Sequence, residues 1–170
     1  MTNKQIIYII LHNIRSAYNV GSIFRTADAV GIAKIYVCGY SPTPNEQRVV
    51  KTALGAEKAV PWEQHKQTWR LLKKLSKTGV YVIALEQTDK SKNIFKYNFD
   101  KINKPIALLI GHERKGLSRE ILKFVDAVVE IPMYGQKESL NVSVATGIAL
   151  YEIKRASKTS RTGKAESRSH

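Results

Sequence analysis

Three short stretches of this chain combine polar, charged and small residues in ways that can hold and orient a ligand. In GHERKGLSREILKFV, Gly111 and Gly116 bracket a charged turn that follows an apolar run and enters a segment capped by Ser118. Such a turn can cradle phosphate. It has neither the glycine spacing of a dinucleotide site nor a Gly-Lys-Ser/Thr phosphate loop, which argues against a nucleotide triphosphatase. In EIPMYGQKESLNVSVATGIALYE, residues 130–152, an apolar run ends in a loop holding Pro132 and Gly135 and then enters a helix rich in small residues. Ser139 and Asn141 can accept there from the unpaired first-turn N–H groups. A strand end, a polar loop and a helix start in succession is where open α/β sheets bind ligands, and it is equally the anatomy of an ordinary connection. In HNIRSAYNVGSIFRTADAVGI, Asn19 is placed to cap a helix, and Arg25 lies beside its apolar stripe with Asp28 three residues on. A surface Arg25–Asp28 pair, worth roughly a few tenths of a kcal/mol, would account for those side chains without any chemistry.

The elements that position these residues follow from hydrophobic period. Gln5–Leu11 is a nearly continuous β-branched and aromatic run, the pattern of a strand covered on both faces. Val20, Ile23, Phe24 and Ala27 make a helical stripe that Gly31 can terminate. Lys34–Cys38 is a second strand, followed by GYSPTPNEQ, whose prolines and glycine exclude regular structure and make it a candidate for mobility. Gln47–Ala59 reads as a helix interrupted near Gly55, and Trp69, Leu72 and Leu75 mark another that ends at Gly79. Lys66, Arg70, Lys73, Lys74 and Lys77 on or near it read as a solvated face. Val80–Leu85, Ile106–Ile110 and Ala127–Ile131 complete five strands. Strands alternating with helices predict an α/β fold, a mostly parallel sheet with helices on both faces. On the same spine Val144, Ile148 and Tyr151 predict an apolar face on the last helix, with Ala145, Gly147 and Ala149 allowing close packing. The expected organisation is one domain over 1–155 and a basic tail over 156–170 without fixed structure.

Composition narrows the partners. Twenty-eight Lys and Arg against fourteen Asp and Glu give a formal net charge of +14 and a pI near 9.9, with 43% hydrophobic residues, enough for a core. A compact domain this basic points to a polyanion, nucleic acid before membrane, although a merely soluble cation has the same composition. Cys38 is the one cysteine, so no disulfide framework or thiolate metal site is expected, and His12, His65, His112 and His170 lack ligand spacing. The first apolar run is too short to cross a bilayer and has no basic leader, so it reads as a buried strand of a cytoplasmic protein.

Taken together, NVGSIFRTADAVGI, LLIGHERKGLS and IPMYGQKESLNVSVATGIALYE resemble the SpoU/TrmH family of RNA 2′-O-ribose methyltransferases, in the SPOUT superfamily. The likeness covers Ile6 to about Ile153. It implies a C-terminal trefoil knot, which general rules of chain connection would have discouraged. It also implies that S-adenosylmethionine is held by the knot loops: Leu85, Glu86 and Gln87, Ile110 and Gly111, and Ile131, Met133 and Leu140. By the same resemblance Asn19, Arg25, Glu113, Ser139 and Asn141 form the catalytic set, and the protein is a homodimer in which Arg25 of one protomer meets the methyl donor of the other.

The implied reaction is methyl transfer to a ribose 2′-hydroxyl by in-line displacement, which needs no metal and gains much of its rate from orientation. A guanidinium with a pKa above about 12 is a poor base, so Arg25 is expected to bind the phosphate beside the target ribose and orient the hydroxyl. His112 and Arg114 depart from the family pattern and receive no catalytic role. Many relatives carry an N-terminal RNA-binding domain, whereas this chain starts at its first strand. RNA contacts are therefore expected from the dimer, with Arg15, Tyr18, Lys51 and the tail, and transfer RNA is favoured over ribosomal RNA. A non-catalytic RNA-binding protein on the same fold is the competing expectation.

Overall fold

The computed structural model describes residues 5–162. Seven parallel strands form one sheet in the order β3-β2-β1-β6-β4-β7-β5. The strands are β1 (Ile7–His12), β2 (Lys34–Cys38), β3 (Trp62–His65), β4 (Tyr81–Leu85), β5 (Lys92–Asn93), β6 (Ile106–Ile110) and β7 (Ala127–Glu130). The helices are α1 (Ala17–Val30), α2 (Gln47–Ala53), α3 (Ala56–Ala59), α4 (Thr68–Lys77), α5 (Arg119–Leu122) and α6 (Val142–Thr162), with 3-10 turns at Ile94–Lys96 and Phe99–Lys101.

Strand period two sorts the side chains between two cores. Ile7, Ile9, Leu11, Ile106, Leu108 and Ile110 face α1, α2, α3 and α6, while Ile10, Ala107, Leu109, Val82 and Ala84 face α4 and α5. Helices therefore cover both faces, as continuous apolar strands require. Each fully buried Ile, Leu or Phe contributes on the order of 1.5–3 kcal/mol, so Phe24 and Ile23 of α1 anchor the first face and Leu72 of α4 the second.

Several elements depart from the sequence reading. The edge strands β3 and β5 were not expected, because WEQH is polar and half exposed and β5 has only two residues. Their conformation is imposed by pairing with β2 and β7, which no local pattern records. The helix α1 is capped by Ser16, whose side chain accepts from the Asn19 N–H, rather than by Asn19. The loop after β2 is pinned at its start: Ser41 is buried, accepts from the Ile14 N–H at 2.8 Å and donates to the Cys38 carbonyl at 2.8 Å. Gly31 and Gly55 do sit at left-handed positions where α1 ends and α2 gives way to α3.

The last helix differs in two respects. Its core-facing side is Thr146, Ala149, Leu150 and Ile153, with Ile148 partly buried against the same core, whereas Val144 is 50% and Tyr151 57% exposed, so the two ends of the Val144–Ile148–Tyr151 stripe point outward. Hydrophobic period points to that stripe, but packing against α1 and the sheet buries the neighbouring face that carries Thr146, Ala149, Leu150 and Ile153. The helix also continues past 155 through Thr162, helped by Arg155 pairing with Glu152 at 2.7 Å and Ser157 donating to the Ile153 carbonyl. The remainder of the expected tail lies outside the described residues.

Candidate active site

The carboxyl ends of β4, β6 and β7 are neighbours in the sheet, and the three loops that leave them converge. Between them lies a cavity of ≈ 300 Å³, at the lower end of the range for small-molecule sites. All eight residues expected to hold a cofactor line it: Leu85, Glu86 and Gln87 after β4, Ile110 and Gly111 after β6, and Ile131, Met133 and Leu140 after β7. The sequence reading missed Glu130, Glu138, Val142 and Ala145 in the same wall: they stand in or beside the third stretch, but nothing local distinguishes them from its other residues as facing the cavity.

Two glycines make the loop after β6 possible. A Cβ on Gly111 would stand 2.8 Å from the Gly116 carbonyl carbon and 2.7 Å from Leu117 Cγ. The missing side chain thus lets the turn close on itself. Gly116 has φ 62, in the left-handed region, and a Cβ there would strike the Glu86 carboxylate. That carboxylate in turn accepts from the Leu117 N–H at 2.7 Å and the Gln87 N–H at 3.0 Å, tying the β4 loop to the β6 loop. His112 Nδ1 accepts from the Arg114 and Lys115 N–H groups and so shapes the turn.

Glu113 joins this turn to the start of α1. Its carboxylate accepts from the Arg15 N–H at 2.9 Å, the Ser16 N–H at 3.1 Å and the Asn19 side-chain amide at 3.0 Å. Burial pushes the Glu113 carboxyl upward, but the hydrogen bonds from Arg15, Asn19, its own N–H and Ser16 outweigh this and hold it below the ordinary range. The amide of Asn141 then donates to the Asn19 oxygen at 3.1 Å, while its own oxygen accepts from the Ser143 N–H and hydroxyl at the start of α6. Asn141 is therefore the cap of α6 and the far end of a chain Glu113–Asn19–Asn141 that ties three sequence-distant stretches together. Because Ser16 does the capping of α1, the Asn19 side chain is free to be the middle link.

The other expected residues fall as follows. Ser139 lines the cavity and is exposed. Arg25 is exposed two turns along α1 from Asn19, in a shallow groove with Asp28 and Leu54, and lines neither the cavity nor its approach; among the described residues it forms no ion pair with Asp28. Beside the cavity, and sharing His112, Glu113 and Arg114 with it, lies a groove of ≈ 380 Å³ that adds Arg15, Tyr18, Asn19 and Arg48. Arg48 had no local signal, and Lys51 is exposed on α2 outside this groove. Nearby, burial first and then His112 lower the pKa of His12, whose Nδ1 meets Thr68 Oγ1 at 2.7 Å. Burial pushes the Cys38 thiol up to about 12, which leaves it inert as a nucleophile. Among the described residues no three His, Cys, Asp or Glu side chains converge as a metal-holding group, and no helix is long and apolar enough to cross a membrane.

A parallel α/β sheet with a cavity walled by the loops at its carboxyl end, a carboxylate that clasps two of its segments together and an adjoining basic groove is the geometry of an α/β ligand-binding domain. Residues 6–151 match the SpoU rRNA methylase family, and the chain belongs to it. It is 34% identical to the tRNA (guanosine(18)-2′-O)-methyltransferase of Aquifex aeolicus, over 84% of this chain and 66% of that one. It is 33% identical to the 23S rRNA (guanosine-2′-O-)-methyltransferase RlmB of Ralstonia nicotianae, over 86% and 57%. The AdoMet-bound rRNA methyltransferase structure from Sinorhizobium meliloti superposes with a TM-score of 0.83 at 31% identity, covering 90% of this chain and 57% of that one. The chain thus spans about 60% of the length of such relatives.

Proposed function

We propose that this protein transfers a methyl group from S-adenosylmethionine to a ribose 2′-hydroxyl of RNA, as a homodimer. The observation that carries the reading is the convergence of eight family cofactor positions from three separate loops on one cavity whose rim is the Glu113–Asn19–Asn141 chain. The donor set fits that ligand. Leu85, Ile110, Ile131, Met133 and Leu140 offer apolar surface to a flat adenine, and Glu86, Glu113, Glu130 and Glu138 stand against Arg114 as the one permanent cation of the wall. In a chain of net charge +14, such an acidic lining suits a cationic ligand.

When bound there, S-adenosylmethionine supplies an electrophilic methyl group on a sulfonium. Everything else falls to this chain. Arg15, Arg48 and Arg114 make the adjoining groove attractive to the phosphates that flank a ribose, and Tyr18 offers an exposed ring for a base. Asn19 is held at both ends, by Glu113 and by Asn141, so its amide is a fixed wall between groove and cavity. Ser139, exposed at the rim, is a donor and acceptor within the same opening. Arg25 of one protomer serves the cavity of its partner, binding the phosphate beside the target ribose and orienting the hydroxyl. Two observations favour the dimer: Arg25 does not line its own cavity, and Val144 and Tyr151 on α6 are apolar and exposed. The family trefoil knot is part of the same proposal. It has the loop 131–141 tucked beneath the chain that links β4 to β6, and an experimental backbone trace that straightens when its ends are pulled would refute it.

Transfer RNA is the first substrate to test, because the Aquifex relative of which this chain covers more is a tRNA enzyme, and ribosomal RNA is the second. Unmodified transcripts of both, incubated with labelled methyl donor and digested for nucleoside mass spectrometry, should yield a 2′-O-methylated nucleoside. Label on a base would overturn the reading. A non-catalytic RNA-binding role predicts no heat in a calorimetric titration with S-adenosylmethionine, whereas the methyltransferase reading predicts saturable binding.

A further inference from the structure

We infer that the β5 edge of the sheet carries a second RNA-binding groove, separate from the methylation cavity, that takes a single-stranded segment of the same RNA. The inference rests on RNA being the substrate, and names a contact surface which that reading does not include.

The groove, of ≈ 890 Å³, runs from β5 to the amino ends of β4 and β6 and shares no residue with the cavity or its basic approach. It exists because β7 is short. Strand β4 begins at Tyr81 opposite Ile106, but β7 pairs only from Ile83 onward, and ahead of it Asp126 bonds Val82 through its backbone N–H and its carboxylate, so strand pairing on that side stops short of Tyr81. The 3-10 turns that follow β5 fill part of the gap, and Tyr97 reaches back to meet the Tyr81 hydroxyl at 3.0 Å.

Its lining has the chemistry of a strand-binding surface. Lys92, Lys96, Lys101 and Lys104 border the groove, all are exposed, and none forms an ion pair among the described residues. Asp100 is the single acid between 92 and 104. Four unpaired cations in one depression repel one another, and a phosphate chain would relieve that repulsion while releasing counterions. The Tyr97 ring is fixed: it packs on Phe99 at a 55° tilt with centroids 4.8 Å apart, lies under the Lys92 ammonium at 5.8 Å and is tied to the Tyr81 hydroxyl. Phe95, next to Lys96 in sequence but outside the groove lining itself, is 47% exposed although apolar and is a ring beside the groove rather than in it. Asn98 and Asn103 are exposed, and their amides make no hydrogen bond among the described residues, leaving donors and acceptors for base edges or a 2′-hydroxyl. Lysines for phosphates interleaved with rings for bases favour a single strand over a duplex, whose bases are stacked away.

The test uses the full chain and fluorescein-labelled probes, an unmodified tRNA transcript and a twelve-residue oligouridylate, followed by anisotropy at several salt concentrations. The variant K92A/K96A/K101A/K104A should raise Kd for the transcript by roughly tenfold or more and flatten the log Kd against log salt slope by about 2–3, near 0.7 for each lost phosphate contact. Its calorimetric affinity for S-adenosylmethionine should be unchanged. The charge-preserving set K92R/K96R/K101R/K104R should restore the slope, and Phe95→Ala should weaken the oligouridylate severalfold. Unchanged affinity and slope in the alanine set would overturn the groove. So would equal losses for RNA and heparin with no effect of Phe95→Ala, which would leave only a general polyanion surface. If the quadruple variant does not fold, the pairs K92A/K96A and K101A/K104A each carry the same expectation at about half the slope change. Wild-type protein that binds the probes through this groove yet methylates no RNA would sink the proposed activity instead.

Discussion

At the scale of single residues, the decisive group is Glu113, a carboxylate that does no covalent work but fixes where α1 begins relative to the turn after β6. Its folded pKa lies below the unfolded value, so its contribution to stability is complete above about pH 4.5 and is lost as pH falls through the lower folded value. Thermal melting between pH 3 and pH 6 should therefore show a steeper acid loss in the wild type than in Glu113→Gln, and identical profiles would mean the clasp carries no weight. Gly111 is the second residue with a sharp expectation. In Gly111→Ala the added methyl meets backbone at 2.8 Å, so the turn must open, and affinity for S-adenosylmethionine should fall at least tenfold by calorimetry with a smaller change in melting temperature. The identities of Glu113, Asn19 and Asn141 were legible because each stands in a recognisable stretch. That they touch through Asn19 was not, since 94 residues separate Asn19 from Glu113 and 122 separate it from Asn141.

Among the elements, α1 is held more tightly than its apolar stripe suggests. Gly21 faces α2 so closely that a Cβ would lie 2.6 Å from the Val49 carbonyl oxygen and 2.7 Å from Thr52 Cβ. Gly21→Ala should cost about 1–3 kcal/mol in chemical denaturation and displace the end of α1 that carries Asn19. A variant as stable as the wild type would show that α2 can yield. Strands β1, β2, β4, β6 and β7 were readable because burial on both faces demands unbroken apolar runs. Strands β3 and β5 were not, because each borrows its conformation from one paired neighbour. The exposure of Val144 and Tyr151 has the same origin: period shows that a helix has an apolar face, and only its partner shows which face is buried.

For the whole molecule, the question is whether one protomer is complete. Arg25 lies away from its own cavity, and the proposed dimer brings it to the other. Mixing Arg25→Ala with Gly111→Ala protomers should return up to about a quarter of wild-type turnover, because half of the dimers formed at random are mixed and each holds one intact site. A mixture no more active than its inactive components would place Arg25 in its own protomer's chemistry or outside it. Arg25→Lys keeps the charge but loses the planar fork, so turnover should drop by an order of magnitude or more with RNA affinity little changed.

The sequence by itself determined the sheet class, the five buried strands, the basic character and the three polar stretches, because hydrophobic period, caps and composition are local properties written residue by residue. Tertiary structure alone decided that Glu113, Asn19 and Asn141 join in one chain of hydrogen bonds, that Gly111 is small to let its own turn close, and that four lysines share a groove at the β5 edge. Those are distances between segments remote along the chain. They are set by strand order and register, and neither leaves a trace in the neighbours of any one residue.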